Sequence, residues 1–328
     1  MSLTRSVALA LSILAVVAAR AGAAKDPWRL PLGLDRQAAM IPDDNPMTAE
    51  KIALGKQLFW DKRWSRDGTV ACVSCHLPEH GWSDPRHRSV HVGGQPTLRH
   101  SPTLVNRVFS DRQGWTGFAA SIEHFVREDA LFVVGNLRAI PAYEEALRRM
   151  FGTGPTQDTA IQAVAAYVRM IVSGNSPYDR FRAGNADALS AAARRGLALF
   201  ETKARCARCH AGFNFTDESY HNIGVGMDKD NPDLGRFQVS KREINKGAFK
   251  TPTLRDVARR APYMHDARFA TLREVVAFYD RGGIPSAWLS PEMAPLGLTP
   301  DQQEDLVAFL EALTGEVPPD VATPPVLP

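Results

Sequence analysis

The sequence holds only four cysteines in 328 residues, too few for the dense framework of a disulfide-stapled secreted domain. It lacks a charge excess of either sign: 39 Lys and Arg face 36 Asp and Glu, a formal net charge of +3, with no run of five like charges. That balance leaves no basic stripe for nucleic acid. It also lacks an apolar run of membrane-spanning length. The longest is the thirteen residues from Val7 to Ala19, interrupted by Ser12, whereas a bilayer requires ~20. With 44% hydrophobic and 23% charged residues, the chain has the composition of a folded globular protein, long enough for two domains with their own cores.

The start of the chain reads as an export signal. Arg5 precedes the Val7–Ala19 apolar run, and Ala21, Gly22 and Ala23 follow it as a small-residue cleavage site. Residues 1–24 are therefore expected to be removed, leaving a periplasmic protein that begins near Ala24 or Lys25. An uncleaved anchor is the alternative.

All four cysteines fall in two copies of one pattern, Cys72-Val73-Ser74-Cys75-His76 and Cys206-Ala207-Arg208-Cys209-His210. C-x-x-C-H is the pattern of covalent c-type haem attachment. Two thiols on one turn reach the two vinyl groups on a haem edge, and the following imidazole becomes the proximal iron ligand, here His76 and His210. Zinc held by cysteine and histidine, a disulfide and a thioredoxin-like redox pair are the competing readings.

Each motif has a similar lead, Gly55 to Phe59 and Gly196 to Phe200, as expected of one module used twice. Each half closes on an amphipathic helix, read from Ile161, Val164, Ala165 and Val168 and from Leu306, Phe309, Leu310 and Leu313, with Pro300 opening the second and Gly315 following it. The expected fold is all-α, two cytochrome c-like haem domains in one chain, at 25–184 and 185–318. Arg182 to Asp187 is the expected linker, and Val317 to Pro328, including the Pro-rich 319–328, the expected unstructured tail. Two haems allow either an electron carrier with both irons six-coordinate or an enzyme with one open iron face.

Longer stretches resemble the bacterial di-haem cytochrome c peroxidase and MauG family from about Pro42 to Gly315. They are Asp44–Lys51, Leu54–Phe59, Ser101–Asn106, Ser173–Arg180, Phe249–Arg255 and Ala261–Asp266. The resemblance implies a peroxide-reactive haem in the N-terminal half, an electron-relay haem in the C-terminal half and calcium between them. It puts the sixth ligand of the second haem at Tyr279, with Met264 as the rival. A phenolate donor stabilises oxidised iron, whereas Met/His ligation raises the potential. At the first haem the family's distal histidine position falls on Val92, one residue after His91. Replacement by Val92 implies an open haem; ligation by His91 implies a gated one.

The chain departs from the family where acid–base help for O–O cleavage is expected. The glutamine position reads as His124 or Phe125 and the glutamate position as Val134 or Gly135, which leaves His124 with Glu128 or Asp129 as candidates. Trp115 survives and would carry electron holes between the haems. Asn106 through its side chain, and Arg260 and Pro262 through their carbonyls, match the calcium ligands. The resulting expectation is a periplasmic di-haem peroxidase that reacts with hydrogen peroxide at an open N-terminal haem and oxidises a protein partner, in the manner of MauG. Peroxide removal with electrons from a small cytochrome or cupredoxin is the alternative activity, a di-haem electron carrier the non-enzymatic one, and a homodimer is compatible with either.

Overall fold

The computed structural model describes residues 28–128 and 133–328. The export signal at 1–24 and Asp129 lie outside the described residues. Helices carry the fold: α1 (Ala49–Trp60), α2 (Ile122–Glu128), α3 (Val134–Arg138), α4 (Pro141–Phe151) and α5 (Gln157–Val168) come first. After them come α6 (Pro177–Arg182), α7 (Ala191–Glu201), α8 (Phe237–Ser240), α9 (Leu272–Asp280), α10 (Pro300–Glu311) and α11 (Pro319–Ala322). The two strands β1 (Tyr220–His221) and β2 (Phe249–Lys250) pair antiparallel, Tyr220 with Lys250 and His221 with Phe249.

Local chemistry sets where the long helices start. The Thr48 hydroxyl accepts the Lys51 N–H ahead of α1, and Ser190 accepts the Ala193 N–H ahead of α7. Capping boxes at Thr156 and Thr159, Thr271 and Glu274, and Thr299 and Gln302 open α5, α9 and α10. Each such side chain satisfies an N–H that the helix itself leaves free, and its loss costs about 1 kcal/mol.

Two hydrophobic cores form. The first gathers Leu54, Leu58, Trp64, Trp82, Leu147 and Val164 among others, and the second Leu197, Phe200, Val276, Leu306 and Phe309. In each, two helices meet at a glycine. A Cβ on Gly55 of α1 would stand 1.8 Å from the Ala163 carbonyl oxygen of α5, and one on Gly196 of α7 1.9 Å from that of Asp305 on α10. The same aromatic triad fills the angle beside each crossing. Phe59, Trp82 and Tyr167 have ring centroids 6.0, 5.2 and 6.4 Å apart; Phe200, Phe215 and Phe309 repeat this at 6.1, 5.0 and 6.3 Å.

A buried ion pair ties the halves together. Arg255 lies 2.6 Å from Asp179 of α6, both side chains almost fully enclosed, and also donates to the Phe213 and Gly33 carbonyls. The end of the chain corrects the expectation of an unstructured tail. Pro319 opens α11, where its missing N–H costs nothing. Val321, 3% exposed, packs into the first core, and its carbonyl accepts the Tyr167 hydroxyl at 2.7 Å.

Candidate functional site

Both C-x-x-C-H segments fold the same way. Cys72–Ser74 and Cys206–Arg208 are single 3-10 turns. The N–H groups of Cys75 and His76 both point to the Cys72 carbonyl, as those of Cys209 and His210 do to the Cys206 carbonyl. One tight turn thus holds two sulfurs and an imidazole together. His76 Nδ1 lies 3.2 Å from the Trp82 carbonyl and His210 Nδ1 3.0 Å from that of Phe215. A carbonyl accepts only from an N–H, so each ring carries its proton on Nδ1 and keeps the Nε2 lone pair for a metal. Burial pushes each imidazole down to about 4, and neutral imidazole is the form that binds metal.

Each motif opens into its own largely apolar cavity. The N-terminal one, about 250 Å³, is lined by Cys72, Cys75, His76, Phe59, Val164 and Phe125 among others. The C-terminal one, about 230 Å³, is lined by Cys206, Cys209, His210, Met264, His265 and Tyr279 among others. Paired thiols and a neutral imidazole on the wall of an apolar cavity fit a haem attached at one edge and ligated through His76 or His210.

Tyr279 and Met264 both line the C-terminal cavity, so both sixth-ligand candidates are brought to it. Burial pushes the Tyr279 phenol above its ordinary value; only a nearby cation such as ferric iron would reverse that and favour the phenolate. Trp115 lines both cavities. Its indole N–H donates to the His100 carbonyl at 2.7 Å and its carbonyl accepts the Lys250 N–H at 2.8 Å, which fixes the ring between the two pockets. His91 lines the N-terminal cavity, and Val92 does not. It heads a short turn closed by the bond from its N–H to the Gln95 carbonyl.

His124 and Glu128 are not among the residues lining either cavity. The His124 side chain is 43% exposed, with Nε2 3.8 Å from Glu128 Oε1, while its neighbour Phe125 takes the inward position. Polar groups absent from the sequence reading line the N-terminal cavity instead: Arg107, Gln113 and Lys250. Gln113, two residues before Trp115, accepts Arg107 Nε–H at 2.7 Å. Burial lowers the Lys250 ammonium, against the pull of Glu218 beside it.

Of the residues matched to calcium, Arg260 and Pro262 offer backbone carbonyls, donors of the kind calcium takes, while the Asn106 side chain already has protein partners. Asn106, fully buried, spends its side chain on protein: Oδ1 accepts the Ser173 N–H at 2.9 Å, and Nδ2 donates to the Ser173 carbonyl at 3.2 Å and to Asn214 Oδ1 at 3.1 Å. Calcium takes six to eight oxygen ligands, carboxylates usually among them. Among the described residues the one cluster with metal-ligand spacing is Cys209, Asp217 and His221, whose ligand atoms lie within 4.8 Å of one another. Its sulfur already belongs to the second C-x-x-C-H motif.

Two cysteine-histidine cavities joined by a shared tryptophan, in a helical chain with one helix pair per half, define a di-haem protein of the cytochrome c peroxidase class. Comparison with known proteins agrees. The family model for di-haem cytochrome c peroxidase matches residues 49–187. The chain is 40% identical to cytochrome-c peroxidase IdrP1 of Denitromonas iodatirespirans, over 94% of this chain and 93% of that one. It is 41% identical to the methylamine utilization protein MauG of Methylorubrum extorquens, over 88% and 84%. A solved MauG-like protein associated with microbial copper homeostasis, 29% identical, superposes with a TM-score of 0.84 over 91% of this chain and 99% of that one. The chain belongs to the di-haem cytochrome c peroxidase and MauG family and is a haem-dependent oxidoreductase.

Proposed function

We propose that the chain is an exported di-haem peroxidase of the MauG type, which reacts with hydrogen peroxide in its N-terminal cavity and oxidises tryptophan or tyrosine side chains of a protein partner. The observation that carries this reading is the burial of Tyr279 in the cavity that also holds Cys206, Cys209 and His210. Bound haems would supply the redox chemistry, by which two electrons from the partner's side chains and two protons turn one hydrogen peroxide into two waters. Cys72 and Cys75, and Cys206 and Cys209, would tether them, and His76 and His210 would ligate the irons through Nε2. A Tyr279 phenolate would hold the second site in its oxidised form. Trp115, fixed between the cavities by His100 and Lys250, would pass electrons from one to the other.

A second reading has its own observation. His91 on the wall of the N-terminal cavity favours a gated peroxidase that opens only after one-electron reduction and takes electrons from a small cytochrome or cupredoxin.

Low-temperature EPR and optical spectra of the oxidised, haem-loaded protein, before and after one equivalent of hydrogen peroxide, separate the two. The MauG-type reading predicts a high-spin signal that disappears without prior reduction. Two low-spin signals that respond to peroxide only after one-electron reduction would replace it with the gated reading, and no response in either state would overturn both. Tyr279→Phe is expected to change the spectrum of the second haem alone; an unchanged spectrum would transfer the ligand role to Met264.

A further inference from the structure

The two C-x-x-C-H turns are built alike but charged differently. Aligned on their cysteines, residues 67–76 and 201–210 share an acid at the first position, Asp67 and Glu201. Beyond it, the second copy carries Lys203, Arg205 and Arg208 where the first has Thr69, Ala71 and Ser74. All three cations are exposed, and Cys206 and Cys209 beside them are half-buried. Cys72 and Cys75 are half-buried too, so both tether points lie close to solvent, and the second alone carries cations along its own turn.

The fold spreads that charge over one rim of the C-terminal cavity. Arg205 lines the cavity, as do Glu292, Met293, Ala294 and Leu296 from the loop between α9 and α10. Arg208 pairs with Glu292 at 2.5 Å, its side chain 55% exposed. Lys203 Nζ reaches the far end of the same segment, donating to the Gly297 carbonyl at 2.7 Å and to Gln302 Oε1 at 2.9 Å. Glu292 thus neutralises Arg208, whereas among the described residues Lys203 and Arg205 form no ion pair. At the first turn Arg86, which donates to the Ser74 carbonyl, is already matched by Asp84 at 2.6 Å. Trp288, 37% exposed on the α9–α10 loop, adds an aromatic of the kind that anchors protein interfaces. In a chain of nearly balanced charge, such asymmetry between two copies of one module marks a role that only the second turn has.

We propose that the face formed by Lys203, Arg205 and Arg208 docks the redox protein partner, and that the partner presents an acidic surface to it. Electrons then pass between the partner and the C-terminal cavity rather than the N-terminal one. The proposal rests on the reading of the chain as a two-haem oxidoreductase with a protein partner, and not on the choice between MauG-type and gated chemistry. Charges at the rim of an interface act chiefly on the rate of association and on its salt dependence.

Two reduced cupredoxins, one acidic and one basic, serve as probes of the oxidised, haem-loaded protein. Haem content comes first: fewer than two haems per chain would overturn the two-haem reading and the proposal with it, and every later outcome bears on docking alone. Binding is followed by surface plasmon resonance, and reduction of the second haem by stopped flow, one electron passing from cuprous copper to ferric iron. At low ionic strength the acidic probe should associate and react about tenfold faster than the basic one, the lower end of electrostatic steering, and ~0.5 M salt should erase the difference. Lys203→Glu combined with Arg205→Glu should reverse the preference, and Lys203→Arg combined with Arg205→Lys should keep it. Because binding is read without electron transfer, a shifted haem potential does not imitate the effect. Equal association of the two probes, or an unchanged rate for the acidic probe in the charge-reversed variant, would overturn the proposal. So would binding to vesicles of anionic phospholipid that exceeds binding to the acidic probe and disappears in the same variant, which would assign the face to a membrane. Should the charge-reversed variant not load haem, Lys203→Gln alone and the salt dependence of the native protein decide.

Discussion

His221 Nε2 lies 2.7 Å from an Asp217 carboxylate oxygen, and the pair gives the fold a defined pH window. The hydrogen bond to Asp217, then the contact with Cys209, raise His221 to about 10. Burial alone would raise Asp217, but the bonds from His221 and the Ser219 N–H outweigh it and bring the acid to about 2. A raised histidine stabilises fully below its unfolded value of 6.5 and loses that contribution as pH rises through about 10. A lowered acid stabilises above its unfolded 3.8 and loses that contribution as pH falls through about 2. His221→Gln should therefore cost about 2 kcal/mol near pH 5, a charged hydrogen bond's worth, and progressively less toward pH 10, as urea unfolding at several pH values would register. At the same scale, His124→Ala should leave the rate of peroxide consumption within about threefold of native, since that ring stands outside the cavity wall; a loss of a hundredfold or more, the size of a general acid–base contribution, would return His124 to the chemistry. The clustering of Cys72, Cys75 and His76, and of Cys206, Cys209 and His210, was legible in the sequence because one short turn builds each. The choice between His124 and Phe125 was not, because neighbours on a helix point ~100° apart and the packing of α2 selects the face. Arg107 and Lys250 come to the N-terminal cavity from distant segments, a coincidence that no local pattern announces.

The helix pairs show what spacing alone can convey. The apolar rows at Ile161 to Val168 and Leu306 to Leu313 marked α5 and α10, and the capping residues fixed their starts. The partner of each helix came only from the fold, through the closeness of approach at Gly55 and Gly196. Both contacts are to backbone oxygen, which cannot rotate away. Gly55→Ala and Gly196→Ala should each destabilise by about 3 kcal/mol, at the upper end of overpacking costs, despite the better helix propensity of alanine. Thermal unfolding of the two variants checks this; a gain in stability would mean that the helices separate without penalty. The matched triads differ in chemistry where they agree in shape. Tyr167, unlike Phe309, carries a hydroxyl that engages both Trp60 Nε1 at 3.3 Å and the Val321 carbonyl. Tyr167→Phe should accordingly keep the packing and lose about 1 kcal/mol from the hydrogen bonds.

The whole molecule is laced from both ends. Near the start of the described chain, the Leu32 carbonyl accepts the Asn175 N–H and that of Gly33 accepts Arg255. At the finish, Val321 is set into the first core, the Asp320 carbonyl accepts Lys56, and that of Val326 accepts Gln57. Removing residues 317–328 should lower the melting transition and destabilise chiefly the N-terminal half. Val321→Ala should reproduce part of that, about 2 kcal/mol for an emptied core site; hydrogen exchange resolved by segment would show the loss concentrated in α1 and α5. The proline-rich composition of the tail hid this seat, since composition describes how stiff a segment is and not what it lies against. The lacing also bears on the order of assembly. The chain emerges amino end first, so α1 and α5 precede α11, and the first core lacks Val321 until the segment that carries it has emerged. The half that carries Cys72 and Cys75 can therefore close fully only once α11 is present, although its cysteines come first, which would leave an interval for a bulky prosthetic group to be seated from outside.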